Sequence, residues 1–177
     1  MKNKGFSLLE LMVGIAVLAV MVGVAIPSYL TMIQNNRLTS QLNSMLGGLQ
    51  YARSEAIKLH ETVGVCKKNA ASTACDNSVG WEDGWLVWGD VDSDGVVDAG
   101  ETILRVVDGF DNENDVFPSL SVANSISFNS RGVAAIAGSW QICDDRGAPN
   151  AKAVVIGLSG RAKVAETTHI GGALTCS

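Results

Sequence analysis

One carboxylate stands alone in an otherwise apolar stretch near the start of the chain. Glu10 is the only charged residue between Phe6 and Ile26. As a helix these residues would span about 31 Å, which matches the hydrocarbon core of a membrane. A charge at that depth is unfavourable by about 2.5–3.5 kcal/mol, so such residues usually have a function. Glu10 is therefore the first candidate for a functional side chain.

A second group of carboxylates follows the spacing of a calcium-binding loop. Residues 90–101 read DVDSDGVVDAGE, with Gly95 where the loop must turn sharply. The ligand positions of this template are Asp90, Asp92, Asp94, Val96 (through its carbonyl), Asp98 and Glu101. The flanking residues are typical of strands rather than helices, and a solvated hairpin turn at Asp94 and Gly95 accounts for the same residues. A calcium site and a simple acidic turn remain alternatives.

The four cysteines indicate disulfides rather than a metal or redox site. No two of them have the CxxC spacing, and exported domains meet an oxidising compartment in which disulfides persist. Three connectivities are open to four cysteines. We favour Cys66–Cys75, which closes a short loop, and Cys143–Cys176, which would fix the C-terminus.

The residue types that catalyse reactions are not grouped in the sequence. His60 and His169 are isolated, and Ser159 lacks the Gly-x-Ser-x-Gly pattern of a nucleophile elbow. Trp85 and Trp88 are three apart in a predicted strand and should face opposite sides, which favours packing over a ligand-stacking platform. We expect no enzymatic activity and no required cofactor, with Ca²⁺ as the candidate ion.

The elements that must carry these residues begin with an anchor. Lys2 and Lys4 precede the apolar stretch, which favours a cytoplasmic N-terminus and places the residues after the stretch outside the cytoplasm. No small-x-small cleavage site follows the stretch, so an ordinary secretory signal is not indicated. The 177 residues leave room for one anchored segment and one globular domain of about 120–140 residues.

One long helix is predicted from about Phe6 to about His60. Pro27 should kink or loosen it, and the glycine pair at 47–48 weakens it by about 1 kcal/mol per glycine. Beyond Pro27 an apolar stripe recurs at helical spacing. Its members are Leu38, Leu42, Met45, Leu49, Ala52, Ala56 and Leu59. We expect the stripe to pack against its own domain, with a coiled-coil seam as the alternative.

Short strands separated by turn residues follow the helix. They are predicted at Thr62–Cys66, Trp85–Trp88, Thr102–Val107, Ser125–Phe128, Trp140–Cys143, Ala153–Gly157 and Ala162–Ala165. The fold class is therefore α+β, with an antiparallel sheet or a pair of small sheets on the C-terminal half of the helix.

Four segments carry a resemblance to a known family. KGFSLLELMV (residues 4–13) resembles the class III leader of type IV pilins and type II secretion pseudopilins. LQYARSEAIK (49–58), GWLVWGDVDSDGVVDAGETILR (84–105) and SGRAKV (159–164) resemble minor pilins of the GspH/FimT/FimU type. The resemblance implies a pilin-like fold. It divides the chain into a leader peptide (1–5), a transmembrane and filament-core helix (6–30) and a periplasmic domain (31–177) that includes the amphipathic half of the helix.

The resemblance also implies how the N-terminus is processed. A prepilin peptidase would cleave between Gly5 and Phe6 and methylate the new amine of Phe6. In a filament, Glu10 of one subunit would neutralise the Phe6 amine of a neighbour, because an unpaired charge in an apolar core is strongly unfavourable. This pairing would select one axial register. A Glu10 that neutralises only the amine of its own chain is the alternative.

The implied function is that of a minor pilin in the inner membrane that helps to initiate or cap a type IV pilus. Its partners would be other minor and major pilins or pseudopilins, the peptidase, the inner-membrane assembly platform and membrane lipid. The first alternative is a minor pseudopilin of a type II secretion system, in protein export.

A second alternative is DNA binding for natural transformation. Residues 160–163 are similar to a Gly-Arg-x-Arg motif of some FimT-like minor pilins, with Arg161 and Lys163 as the candidate contacts. Removal of the leader would leave 11 basic and 18 acidic residues, a balance that argues against DNA. Lys67 and Lys68 would strengthen a basic patch only if the fold brought them beside Arg161.

Overall fold

A computed structural model describes residues 7–110 and 114–176, with the side chain of Val24 excepted, and has the predicted α+β architecture. One long helix, α1, spans Leu8–Leu59. The strands are β1 (Thr62–Lys67), β2 (Gly84–Asp90), β3 (Ile103–Asp108), β4 (Asp115–Pro118), β5 (Ser125–Phe128), β6 (Gly138–Cys143), β7 (Lys152–Ile156) and β8 (Ala162–Ala165). Single 3₁₀ turns occur at Trp81–Asp83, Leu120–Val122 and Ala148–Asn150.

Helix α1 continues through Pro27 without a break. Near this point the Thr31 hydroxyl donates a hydrogen bond of 3.0 Å to the Pro27 carbonyl oxygen. The helix ends where His60 adopts a left-handed backbone conformation, with φ of +60°. The chain divides into two compact units within the helix. The first unit ends at Arg37, and the second unit, called the head below, begins at Leu38.

The strands form two four-stranded antiparallel sheets. The first has the order β3-β2-β1-β5 and the second β4-β6-β7-β8. Seven of the strands lie where the sequence predicts them, with ends that differ by at most two residues. Strand β4 was not predicted. It is four residues long, ends in Pro118 and lies at the edge of its sheet, where a proline does not interrupt the hydrogen bonding.

The main core of the second unit lies between the apolar stripe of α1 and the inner faces of both sheets. Six of the seven predicted stripe residues are buried there, which confirms packing against the chain's own domain. Leu59 is the exception: it is exposed because the helix ends at this residue. The sheets contribute Val63, Val65, Trp85, Val87, Val116, Ile126, Phe128, Trp140, Ile142, Val154 and Ile156.

Each sheet has a smaller cluster outside this main core. On the first sheet, Cys66 packs with Leu86 and Trp88, and Cys66 forms a disulfide with Cys75. On the second sheet, Cys143 packs with Ala153, Val155 and Leu174, and Cys143 forms a disulfide with Cys176. Both favoured disulfides are thus present, and the second holds the C-terminal segment against its sheet.

Candidate functional site

The first turn of α1 contains the isolated carboxylate. The Ser7 hydroxyl accepts a hydrogen bond of 3.2 Å from the Leu9 N–H, so Ser7 caps the helix and Glu10 lies three residues further on. A carboxylate in the first turn is favoured by the helix dipole. Ser-x-x-Glu is a known sign of a helix start, and sequence reasoning overlooked it here. Glu10 itself is exposed and makes no hydrogen bond or ion pair with a described residue.

The residues after Glu10 form an apolar surface along the first unit. The described side chains at 8–23 and 25–32 are all exposed, and large aliphatic residues predominate among them. By length and composition this helix can cross a membrane. The predicted processing residues Gly5 and Phe6 lie outside the described residues, so cleavage and methylation stay predictions.

The structure brings together three of the five carboxylates predicted as calcium ligands. One carboxylate oxygen from each of Asp90, Asp92 and Asp94 lies within 4.8 Å of the other two. Asp98 and Glu101 do not join this group. Glu101 accepts hydrogen bonds from the N–H groups of Val91 (2.9 Å) and Asp98 (3.1 Å) instead. Its carboxylate closes the loop onto its own backbone, a role that spacing alone could not predict.

The residues suggested for DNA contact lie at the edge of the second sheet. Arg161 and Lys163 are both exposed, Lys163 on edge strand β8. Lys67 does not add to a basic patch, because it is buried in the first sheet and donates to the Asn77 carbonyl oxygen at 3.1 Å. Lys68 donates to the Ser72 hydroxyl. DNA binding stays a prediction that depends on Arg161 and Lys163.

The tryptophans are packing residues. All four are at most 1% exposed, and Trp85 and Trp88 belong to different clusters on opposite faces of the first sheet, as predicted. Trp81 and Trp140 meet edge to face, with 5.5 Å between ring centroids. The histidines stay apart as well: His60 ends the helix, whereas His169 Nδ1 lies 3.1 Å from the Ser139 hydroxyl.

Two polar pairs in the second unit were not anticipated. Gln41 on α1 and Asn114 beside β4 are both buried, and the Asn114 amide donates to the Gln41 side-chain oxygen. Asp144 and Arg146 form a charge-assisted pair in the turn after β6. Burial acts to raise the pKa of Asp144, but hydrogen bonds and charge from Arg146 outweigh it, so the pKa is lowered. Both pairs lie within the second unit and stabilise its fold.

Comparison with known proteins identifies two regions of the chain. Residues 41–160 match the family model described as type II transport protein GspH, and residues 1–26 match the prokaryotic N-terminal methylation motif. None of the curated proteins matches the chain.

Solved structures of two minor pilin-like proteins have a similar fold. The type IV minor pilin FimU of Pseudomonas aeruginosa (strain PAO1) has a TM-score of 0.59 and 22% sequence identity, over 76% of this chain and 92% of that one. The minor pseudopilin EpsH of the Vibrio cholerae type 2 secretion system has a TM-score of 0.52 and 13% identity, over 73% of this chain and 96% of that one. At sequence identities this low, the two comparisons show a similar fold and nothing more. Because the GspH match covers more than half of the residues, the chain belongs to the family described as type II transport protein GspH, and it carries the prokaryotic N-terminal methylation motif.

Proposed function

We propose that this protein is a minor pilin, held in the inner membrane by the first half of α1 and then built into a type IV pilus whose assembly it initiates or caps. The observation that carries the proposal is a single carboxylate in the first turn of an exposed apolar helix, within the methylation motif. In this topology the N-terminus begins in the cytoplasm and the head lies in the periplasm.

In this proposal Glu10 neutralises a positive charge during assembly. Cleavage between Gly5 and Phe6 would leave a cationic amine on Phe6 at one end of the helix. Within a filament core, an unpaired carboxylate and an unpaired amine would both be unfavourable, whereas a pair between neighbouring subunits removes both penalties. Glu10 has no partner among the described residues, and Phe6 is not one of these, so a pair within one chain remains the alternative to a pair between subunits.

The test is incorporation of Glu10 variants into filaments. Glu10→Gln keeps the size of the side chain and removes its charge, so we expect normal cleavage but at least about tenfold less subunit in sheared filaments. Glu10→Asp should retain part of the incorporation. Mass spectrometry of the N-terminal peptide, expected to begin at methylated Phe6, checks that processing is intact.

Ser7→Ala is the matched control, because it removes the helix cap and leaves the Glu10 charge in place. We expect Ser7→Ala to assemble at close to the wild-type level. Equal losses in Ser7→Ala and Glu10→Gln would assign Glu10 to helix capping, and wild-type incorporation of Glu10→Gln would contradict the pairing.

The minor pseudopilin of a type II secretion system is the second candidate function, and the description of the matched family favours it. The two candidates predict different losses on deletion of the gene. If the protein is a pilus subunit, deletion should reduce the number of surface pili and leave the secretion of exported enzymes unchanged. If it is a pseudopilin, deletion should leave those enzymes in the periplasm and the pili intact.

A further inference from the structure

The acidic hairpin between β2 and β3 is held in place by the first sheet. Strand β2 runs directly into the loop at Asp90, and the Gly89 N–H donates to the Thr102 carbonyl oxygen at 3.0 Å where the loop closes. Val97, in the middle of the loop, packs against the cluster around Trp88. The Thr62 and Ser93 hydroxyls lie 2.7 Å apart and connect the loop to β1. The loop is therefore anchored at both its ends and its centre.

Three aspartates converge inside this anchored loop. Asp90, Asp92 and Asp94 each direct one oxygen into a group no wider than 4.8 Å. Asp92 and Asp94 are exposed, and each accepts a backbone N–H from the residue two further on. Like charges at this separation repel one another, so a cation among them would relieve the repulsion.

Asp90 differs from the other two because it is buried. Its exposed fraction is 2%, and its Oδ1 atom has no hydrogen-bond partner among the described residues. A buried polar atom without a partner is unfavourable, and such an atom calls for an explanation such as a bound ion. Burial is the main cause of a raised pKa at Asp90, and the negative charges of Glu101 and Asp92 raise it further. The backbone N–H groups of Gly95 and Asp94 have the opposite effect and lower the pKa in part.

A cavity beside Asp90 and Asp94 provides room for further ligands. Its volume is about 310 Å³, and it is lined by the two aspartates, by residues with hydroxyl or amide groups (Thr62, Ser93, Ser127 and Asn129) and by the apolar residues Val133 and Ala135. A bound ion could therefore retain several water molecules that hydrogen-bond to these groups.

We propose that Asp90, Asp92 and Asp94 form a calcium-binding site in the hairpin loop, with water completing the coordination shell. Ca²⁺ takes six to eight oxygen ligands in flexible geometry, which suits three carboxylates beside a pocket with room for water. Glu101 acts as a positioning residue that holds the loop closed through the N–H groups of Val91 and Asp98. With so few protein ligands, the dissociation constant should resemble those of extracellular modules, of the order of 10⁻⁴–10⁻³ M. The inference does not depend on which filament the protein serves.

The test is calcium titration calorimetry of the full chain in an uncharged detergent, with magnesium titrated in parallel. Wild-type protein should bind one Ca²⁺ saturably and more tightly than Mg²⁺. Asp92→Asn and Asp94→Asn should each weaken calcium binding by at least about tenfold. Both side chains are exposed, so these variants should fold, and unchanged circular dichroism in the absence of calcium checks this.

Asp108→Asn is the matched control, because Asp108 is an exposed aspartate at the far end of β3 from the loop. Its calcium affinity should equal that of the wild type. The proposal is overturned if wild-type protein shows no saturable heat, if Mg²⁺ binds as tightly as Ca²⁺, or if both loop variants bind like the wild type. An equal loss in Asp108→Asn would also overturn it, because the effect would then be one of total charge.

Discussion

Asp144 and Arg146 show how a single ion pair links the stability of the head to pH. The Arg146 guanidinium donates to both Asp144 carboxylate oxygens, and the Asp144 side chain is only 5% exposed. Because the pKa of Asp144 is lowered in the folded state, the pair stabilises the protein above about pH 3.9, the usual pKa of an unfolded aspartate. That stabilisation is lost as the pH falls through the folded-state pKa.

Asp144→Asn should therefore lower the free energy of unfolding at pH 7 by about 1.5–3 kcal/mol, the range for hydrogen bonds to charged groups. The difference from wild type should shrink as the pH falls below about 4. Scanning calorimetry across this pH range measures it. Asp145→Asn, at an exposed neighbour, is the control and should follow the wild type. A difference that stays constant with pH would contradict this account.

At the scale of residues, sequence spacing found the candidate groups but not all their partners. Asp90, Asp92 and Asp94 lie close together because a strand end and one turn position them. Glu101 does not join them, because two backbone N–H groups of the closed hairpin take up its carboxylate. Gln41 and Asn114 could not be paired from sequence, since 73 residues separate them and only the completed fold brings them together.

At the scale of elements, the adjacent glycines Gly47 and Gly48 in the C-terminal half of α1 have different surroundings. A Cβ atom at Gly47 would meet nothing within 4 Å, whereas one at Gly48 would lie 2.7 Å from Nε1 of the fully buried Trp85. Gly48 therefore permits the close approach of helix and sheet. Gly47 contributes only its lower helix propensity.

Gly47→Ala should raise the stability of the head by about 1 kcal/mol, because alanine is the better helix former. Gly48→Ala gains the same propensity but overpacks the core beside Trp85, an effect of about 1–3 kcal/mol, so it should lower stability overall. Comparison of the two thermal midpoints tests this. If both variants become more stable to the same extent, the close contact does not constrain the packing.

The elements themselves were largely predictable, because their patterns are local. The stripe on α1 indicates which face of the helix is buried, and six stripe residues follow the prediction; turn residues between short apolar runs indicate the seven strands. Leu59 is exposed, against the prediction, because it is the last residue of the helix. Strand β4 escapes detection because four residues ending in proline carry too little periodicity to indicate a strand.

At the scale of the whole molecule, the head has its own core. Every residue of the three buried clusters lies between Leu38 and Cys176, and both disulfides join residues of that range. None of the described residues of the first unit belongs to these clusters. Stability of the head should therefore be independent of the apolar half of α1.

A fragment that begins at Thr31 should be soluble without detergent and unfold in one cooperative transition. Its thermal midpoint should lie close to that of the head in the full, detergent-solubilised chain, and scanning calorimetry compares the two. Aggregation of the fragment, or the absence of a cooperative transition, would show that the head requires the first unit in order to fold.

The burial of the four tryptophans has a spectroscopic consequence. All of them lie in the second unit and are at most 1% exposed, whereas the first unit contains none. Tryptophan fluorescence therefore reports whether the head is folded, and it should not change with the surroundings of the N-terminal helix. The perpendicular rings of Trp81 and Trp140 should also give a near-ultraviolet dichroic signature. A subunit could thus be followed from membrane to filament with an unchanged optical signal, as long as its head stays folded.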